Sequence, residues 1–439
     1  MHYIAIPIFN IRTIFFAVSF IIFSACNKGS DNLDNGSSSP NSPNILLIIA
    51  DDLGKDAING FSEGNIKPVS PNIDKIRTDG LSFSKFWVYP TCSPTRASIL
   101  TGKYGYRTGV KWASDVLDES ETSLQEYINN QTLDRYSTAI VGKWHLSGGN
   151  STFNPEVFGI DYYAGLIRGD AGDYFNWQLT EDGVATTETT YITTKFTNLA
   201  IDWIQQQNKP WFMWLAYNAP HTPFHVPPSE MHNQGDLPEY TSGMDATPYY
   251  MAAIEAMDFQ IGRLLDSMTD SERENTVIIF MGDNGTPNQV AQQPYSNTTA
   301  KGTLYQGGIN TPLFISGKGV TRKGIDENLI TSSDLFATIA SISGVPVTEI
   351  HDSRNFRTLF TEETVLRGYQ YSEKDNGSDD LLTISNGDYK LIENANGSAE
   401  FYNLNNDPYE QNNLLNGALN GSEFTTKSIL ENELTKIRQ

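Results

Sequence analysis

The sequence predicts an α/β fold: a large mixed, mostly parallel sheet flanked by helices, with a smaller C-terminal antiparallel sheet plus helix. Three observations predict it. Continuous apolar runs, as expected of strands buried on both faces, recur at 44–50, 211–217 and 276–281. Segments of helical spacing, such as 193–207 and 248–268, lie between them. From about Gly368 the pattern changes to short runs divided by Asn-Gly and Asp-rich turns, which reads as an antiparallel meander.

At 439 residues the chain is long enough to bury a core without disulfide staples, and it has only 2 cysteines, Cys26 and Cys92. Its formal net charge is -22, from 30 basic and 52 acidic side chains. Such a surface repels nucleic acid and anionic membranes, which argues against nucleic acid as a partner. Any site for sulfate or phosphate must then carry its own concentrated positive charge.

Residues 1–26 read as a targeting segment: Arg12, an apolar run over 14–23, then Ser24-Ala25-Cys26. This resembles a bacterial lipoprotein signal, with lipidation expected on Cys26, and implies export and a lipid anchor in the envelope, in the periplasm or at the outer-membrane surface. Residues 27–43, rich in Ser, Asn, Gly and Asp, are expected from composition to serve as a flexible tether. The main α/β domain is expected over 44–365 and a C-terminal α+β subdomain over 366–439.

The first strand, 44–50, ends abruptly in Asp51-Asp52-Leu53-Gly54, and the carboxyl edge of an open α/β sheet is where ligands bind. Ser70-Pro71 to Gly80 predicts a helix with Ser70 as N-cap, and 81–86 a strand. In Pro90-Thr91-Cys92-Ser93-Pro94-Thr95-Arg96, Pro94 at a first helical position sets Cys92 near a helix N-terminus and Arg96 one turn in. A structural cysteine under a helix cap is the alternative there. A helix around 123–130 and a strand over 136–141 lead to Lys143 and His145, two apart and facing one ligand in extended chain. The strand 211–217 delivers His221 between Pro220 and Pro223, which hold it stiffly. The strand 276–281 ends at Asp283-Asn284, oxygen donors suited to a hard cation, although Asp-Asn-Gly is also good turn chemistry. Lys301 follows, then a short strand at 312–316 and a helix from Asp334 to about Ser343. Four short strands and a final helix near 428–437 close the chain.

Six segments thus carry polar residues at or near strand ends. Together they resemble the type I, formylglycine-dependent sulfatases of the alkaline phosphatase-like superfamily, from about Asn44 to the tail phrase 401–408. The most specific element is Cys92, Pro94, Arg96, Thr101 and Gly102. The resemblance implies that Cys92 is oxidised to 3-oxoalanine (formylglycine) by a formylglycine-generating or anaerobic maturation enzyme. The hydrated aldehyde attacks sulfur through one hydroxyl, and deprotonation of the other expels sulfate; a serine would stay sulfated. It also implies one Ca²⁺ per chain, with Asp51, Asp52, Asp283, Asn284 and the group at Cys92 as ligands. Arg96 and Lys143 would hold hydroxyl and sulfate oxygens, and His145 would take the proton in the elimination. His221 and Lys301 would contact sulfate and the leaving oxygen, one of them as general acid. Lys55 and Asn310 depart from the family pattern, which often has an aromatic residue and an arginine there.

The expected activity is therefore hydrolysis of sulfate esters on a polysaccharide or oligosaccharide, an algal glycan such as ulvan, carrageenan or fucoidan, with host glycosaminoglycans left open. Tyr162, Tyr163, Tyr174, Phe175, Trp177 and Phe224 are candidates for stacking on sugar rings, with core packing explaining some of them equally well, and His225 is a candidate for either a substrate contact or a surface residue. The alternatives are a phosphonate or phosphodiester hydrolase of the same superfamily, and a non-catalytic glycan-binding surface lipoprotein.

Overall fold

The structure, a computed structural model, describes residues 42–439. The expected leader with Cys26, and the tether up to residue 41, lie outside the described residues. Strands β1 (Asn44–Ala50), β2 (Leu81–Phe83), β3 (Ser137–Lys143), β4 (Tyr162–Leu166), β5 (Trp177–Glu181), β6 (Val184–Glu188), β7 (Trp211–Ala216), β8 (Thr276–Gly282), β9 (Leu313–Gly317) and β10 (Gly324–Asp326) form one sheet in the order β10-β2-β9-β8-β1-β7-β3-β4-β5-β6. Its middle, β8-β1-β7-β3-β4, is parallel throughout, while β9 runs antiparallel to β8 and the β4-β5-β6 edge is antiparallel.

Strand side chains alternate between faces, and β1 uses both for apolar packing. Ile45, Leu47 and Ile49 enter one core, Leu46, Ile48 and Ala50 the other. Helices α1 (Pro71–Asp79), α2 (Cys92–Thr101), α3 (Leu124–Thr132), α4 (Ile192–Gln205), α5 (Thr247–Ser267) and α6 (Asp334–Ile342) divide between the faces. The first core takes α2, α3 and α6; the second takes α1, α4 and α5. The register then fixes the site: Ala50 lies beside Gly282, and Ala216 beside both Ile49 and Gly142. Four strands therefore end nearly level, and the loops leaving their carboxyl ends converge.

Several expectations are corrected. Ser70 is the N-cap residue of α1 as expected, but its side chain makes no capping bond; instead Asp258 of α5 accepts from the backbone N–H of Ile73 at 2.7 Å and of Asn72 at 3.3 Å. A carboxylate from another helix satisfies the orphan donors better than a local hydroxyl. The strand expected over 81–86 breaks at Ser84-Lys85, and Phe86–Trp87 pairs with Ile330–Thr331 in a separate small sheet. Helix α2 begins at Cys92 itself, so Pro94 is its third residue, where its missing N–H still costs no intrahelical bond. Strands β4, β5 and β6 carried no clear signal, and Tyr163 of β4, Trp177 of β5 and Tyr174 in the loop between them are buried, not open to a sugar. Half-buried Tyr162 stacks on Trp203 and donates to Glu181 at 2.7 Å.

Strands β11 (Gln370–Asp375), β12 (Asp380–Ser385), β13 (Tyr389–Asn394) and β14 (Ala399–Asn403) form an antiparallel sheet in sequence order. Helix α7 (Gly421–Ile437) packs on it through Leu430 and Leu434, and a capping box of Asn420 and Glu423 starts it earlier than its apolar residues suggest. The sheet also braces the segment that feeds α2. Ser372 Oγ donates to the Val88 carbonyl at 2.9 Å, Gln370 Nε2 to the Lys85 carbonyl at 2.6 Å, and buried Lys390, paired with Glu410, lies 4.9 Å from the centre of the Trp87 ring. Among the described residues no helix is long and apolar enough to cross a membrane.

Candidate active site

Cys92 opens α2 after an extended Thr91, while Gly102, left-handed at φ 69°, ends it. Short β-strand ends bring the other groups to the same point. Cys92 Sγ lies 3.0 Å from His145 Nδ1 and 3.5 Å from Lys143 Nζ. Lys143 Nζ in turn donates to Asp51 Oδ2 at 2.6 Å. Arg96 spans the site: Nε and Nη2 donate to Asp283 Oδ2 at 3.1 and 2.7 Å, and Nη1 to the Lys143 carbonyl at 2.7 Å. Lys301 Nζ donates to Asp52 at 2.6 Å, and Asn284 Nδ2 to Asp52 Oδ1 at 2.7 Å. His221 Nε2 stands 3.7 Å from Asp52 Oδ2. All the residues singled out on strand ends thus meet in one cluster.

The turns that achieve this are strained. Asp52 (φ 70°) and His145 (φ 60°) are left-handed without being glycine. Such a conformation costs of order 1–3 kcal/mol and persists only when neighbours over-determine it. At Asp52 they do so: its N–H donates to Asp283 Oδ1 at 3.1 Å and its carbonyl accepts from the Tyr250 hydroxyl at 2.7 Å. His145 is therefore not on extended chain beside Lys143; the left-handed turn is what swings its ring back to Cys92.

Burial sets the electrostatics. Asp51 and Asp283 are 0% exposed, Arg96 and Lys143 1%, Cys92 2%. Burial raises the Cys92 thiol above its usual range despite the attraction of Lys143. Asp283 is pushed up to about 6 by burial and by neighbouring Asp51, against the pull of Arg96 and Lys143. For Asp52 burial also acts upward, but Lys301, His221 and Lys143 outweigh it and hold the carboxyl below its usual range. Burial, helped by Lys143, Arg96 and Lys301, drives His145 well below an ordinary histidine, so its imidazole is neutral. Burial brings His221 to about 4 as well, and its Nδ1 sits 2.6 Å from the Thr222 carbonyl. A carbonyl only accepts, so the single proton of neutral His221 is on Nδ1 and a lone pair is at Nε2.

The donor set fits a hard dication. Asp51 Oδ1 and Asn284 Oδ1 are both buried with no hydrogen-bond partner, a condition that costs about 1–3 kcal/mol each unless something else meets them. Ligand atoms of Asp51, Cys92 and Asp283 lie within 4.8 Å of one another, as do those of Asp51, Asp52 and His221. Three carboxylates (Asp51, Asp52, Asp283) balance three cations (Arg96, Lys143, Lys301), so a bound dication leaves net positive charge for an anion.

Two residues of this neighbourhood, Ser114 and Gly169, gave no signal in the sequence. Ser114 Oγ reaches His145 Nε2 at 3.1 Å, and Gly169 lies against the same ring. Tyr174, a candidate sugar platform in the sequence, is instead buried, and its hydroxyl lies within hydrogen-bond reach of the carbonyls of Asn218 (2.9 Å) and His221 (2.6 Å). His225 resolves as a packing residue, its ring stacked 3.7 Å from that of Tyr174.

Residues 43–345 match the Sulfatase family. The chain is 26% identical to the uncharacterized sulfatase YdeN of Escherichia coli (strain K12) and 28% identical to N-acetylgalactosamine-6-sulfatase of Homo sapiens, each match covering 70% of this chain and 63% of the relative. The chain thus spans somewhat less than two thirds of the length of these relatives. In fold it is similar to Ps i-CgsB, crystallised in complex with k-i-k-neocarrahexaose, at a TM-score of 0.76 and 24% identity, over 90% of this chain and 92% of that one. With the match covering well over half of its residues, the chain belongs to the sulfatase family.

Proposed function

We propose that this protein hydrolyses sulfate esters of a carbohydrate. The observation that carries the reading is the buried cluster in which Cys92 lies 3.0 Å from a neutral His145 and 3.5 Å from Lys143, beside one carboxylate oxygen, Asp51 Oδ1, and one amide oxygen, Asn284 Oδ1, that are buried without a hydrogen-bond partner. The name of the human relative, N-acetylgalactosamine-6-sulfatase, is consistent with a carbohydrate substrate.

Conversion of Cys92 to 3-oxoalanine would supply an oxygen nucleophile with a second hydroxyl to release the sulfated enzyme. Calcium held by Asp51, Asp52, Asp283 and Asn284 would lower the pKa of that nucleophile and offset the charge of the ester. The chain's own groups do the rest. Arg96 and Lys143 bind and orient oxygen atoms at position 92 and on sulfur. His145 Nδ1 faces position 92 as a base. Lys301, held charged by Asp52, has a proton to give the leaving oxygen, whereas neutral His221 offers Nε2 only as an acceptor. His221 then orients rather than protonates. In this reading the protein is exported, lipid-anchored through Cys26, and works on sulfated polymers at the bacterial surface, ulvan-like algal glycans among them.

The test is a panel of defined sulfated oligosaccharides, with an aryl sulfate and a phosphate diester in parallel, given to enzyme matured in its native host. Sulfate release from at least one oligosaccharide is expected. A preference for the diester would overturn the reading.

A further inference from the structure

His145 is held from three sides, and one of the holders lies outside the catalytic cluster. Its Nδ1 faces Cys92 Sγ at 3.0 Å and its Nε2 faces Ser114 Oγ at 3.1 Å. Ser114 is exposed and stands in a turn closed by Asp115, whose Oδ2 accepts from the N–H groups of Lys111 and Trp112 at 2.8 Å each. Its own N–H donates to Ser93 Oγ at 3.0 Å, and Ser93 Oγ donates to the His145 carbonyl at 2.8 Å. The neighbour of Cys92 in sequence therefore ties the Ser114 turn and the His145 turn together. Both turns are left-handed, Ser114 at φ 69° and His145 at φ 60°. Two strained residues held against each other place a hydroxyl opposite one ring nitrogen. On the remaining side, a Cβ on Gly169 would sit 2.3 Å from His145 Nε2, so the backbone there closes over the ring and leaves it no room to turn.

A neutral imidazole has one N–H, and which nitrogen carries it is set by the partner of the other. A base at position 92 needs its lone pair on Nδ1. We infer that Ser114 is a positioning residue for the sulfatase reaction: its hydroxyl oxygen accepts from His145 Nε2–H and so keeps the Nδ1 lone pair aimed at position 92. The Ser114 hydroxyl proton is free to go to solvent. Gly169 acts in the same sense by steric means, confining the ring to the plane in which both bonds form. This assignment rests on the sulfatase reading, but its test does not depend on that reading alone.

The full chain is produced without maturation, with Cys92 verified as a thiol by mass spectrometry, and the histidine tautomers are read by ¹⁵N NMR; the His145 signals are those lost in His145→Gln. The native ring is expected to be protonated at Nε2 only. Ser114→Gly removes the hydroxyl and tolerates the left-handed backbone, and is expected to yield a mixture of tautomers. A histidine fixed in the wrong tautomer can cost a rate factor of about 10⁴. Water can partly replace an exposed hydroxyl, so in the matured enzyme kcat is expected to fall roughly tenfold or more with KM within about twofold. Gly169→Ala, which keeps Ser114 and displaces the ring, should lower kcat in the same way. A native ring protonated at Nδ1, or retention of either the tautomer or kcat in Ser114→Gly, overturns the proposal. If matured native enzyme hydrolyses no sulfate ester, the functional reading fails while the NMR result still decides the role of Ser114.

Discussion

Lys55 Nζ donates to Asn310 Oδ1 at 2.6 Å and to the Ser84 carbonyl at 2.6 Å. These two residues, read in the sequence as differing from what the family often carries, are in contact with each other. Lys55 is 2% exposed, and together with Asn310, Phe61, Trp87 and Tyr409 it lines a cavity of about 610 Å³ outside the catalytic cluster. Burial, only partly opposed by Glu63, brings the amine down to about 7. A base whose folded pKa lies below its unfolded value of 10.5 destabilises the fold as pH falls from 10.5 toward 7, because only the unfolded chain then takes up the proton. Denaturant unfolding of wild type and Lys55→Met between pH 7 and 10 should therefore differ increasingly in favour of wild type as pH rises, by at most about 1.4 kcal/mol per pH unit. A constant difference would mean a Lys55 charged in the fold.

Substitutions at Cys92 separate nucleophile from scaffold. Cys92→Ala should end turnover while the unfolding midpoint stays near that of wild type, since no ion pair of the cluster passes through sulfur. Cys92→Ser keeps one hydroxyl but lacks the second, so any attack on sulfur should stall at a sulfated enzyme. Intact mass after incubation with substrate should show one added sulfate group and no multiple turnover. Turnover by the alanine enzyme would remove Cys92 from the mechanism.

Metal removal should act on stability as well as on rate. With Asp51 Oδ1 and Asn284 Oδ1 buried and unpartnered, a chelator is expected to abolish sulfate release and to lower the thermal midpoint, and calcium to restore both. At 100 times the dissociation constant a ligand specific to the fold contributes about 2.7 kcal/mol. Asn284→Leu removes one unpartnered oxygen without adding charge, so the calcium-dependent rise in its midpoint should be smaller than in wild type. Equal rises in the two proteins would exclude Asn284 as a ligand.

The strand ends were legible in the sequence because each combines a long apolar run with an abrupt polar stop, as at Ala50-Asp51 and Met281-Gly282-Asp283. Their meeting follows from register, since Ala50 beside Gly282 puts Asp51 next to Asp283. The features that stayed hidden depend on tertiary contact. Asp258 caps a helix 185 residues away in sequence, and no local pattern announces that. Ser114 lies in a polar turn like many others; only the left-handed backbone and the His145 ring opposite it distinguish it. The aromatics of β4 and β5 could be read equally as sugar platforms or as core because an edge of short strands has too little periodicity to reveal which face is buried.

Tyr174 shows how such hidden packing reaches the chemistry. Its hydroxyl lies within hydrogen-bond reach of the carbonyls at both ends of the turn 218–221 and shares its one proton between them, the shorter contact being to His221, while His225, bonded through Nδ1 to the Pro223 carbonyl at 2.9 Å and through Nε2 to the Tyr191 hydroxyl at 3.1 Å, stacks on its ring. Tyr174→Phe keeps the stack and the core volume but takes this donor from the His221 carbonyl, whereas the Asn218 carbonyl still accepts from the His221 N–H at 2.9 Å. One neutral hydrogen bond is worth about 1 kcal/mol, and an unpaired buried carbonyl costs up to about 3. Denaturant unfolding should thus show a loss of roughly 1–3 kcal/mol. Because the freed turn carries His221, kcat/KM for a sulfate ester should fall by more than the fraction unfolded explains. His225→Leu removes ring and bonds together on the outer side of Tyr174, and should lower stability while leaving more of kcat/KM than Tyr174→Phe does. The reverse order would place the constraint on His221 in the outer layer instead of the Tyr174 hydroxyl.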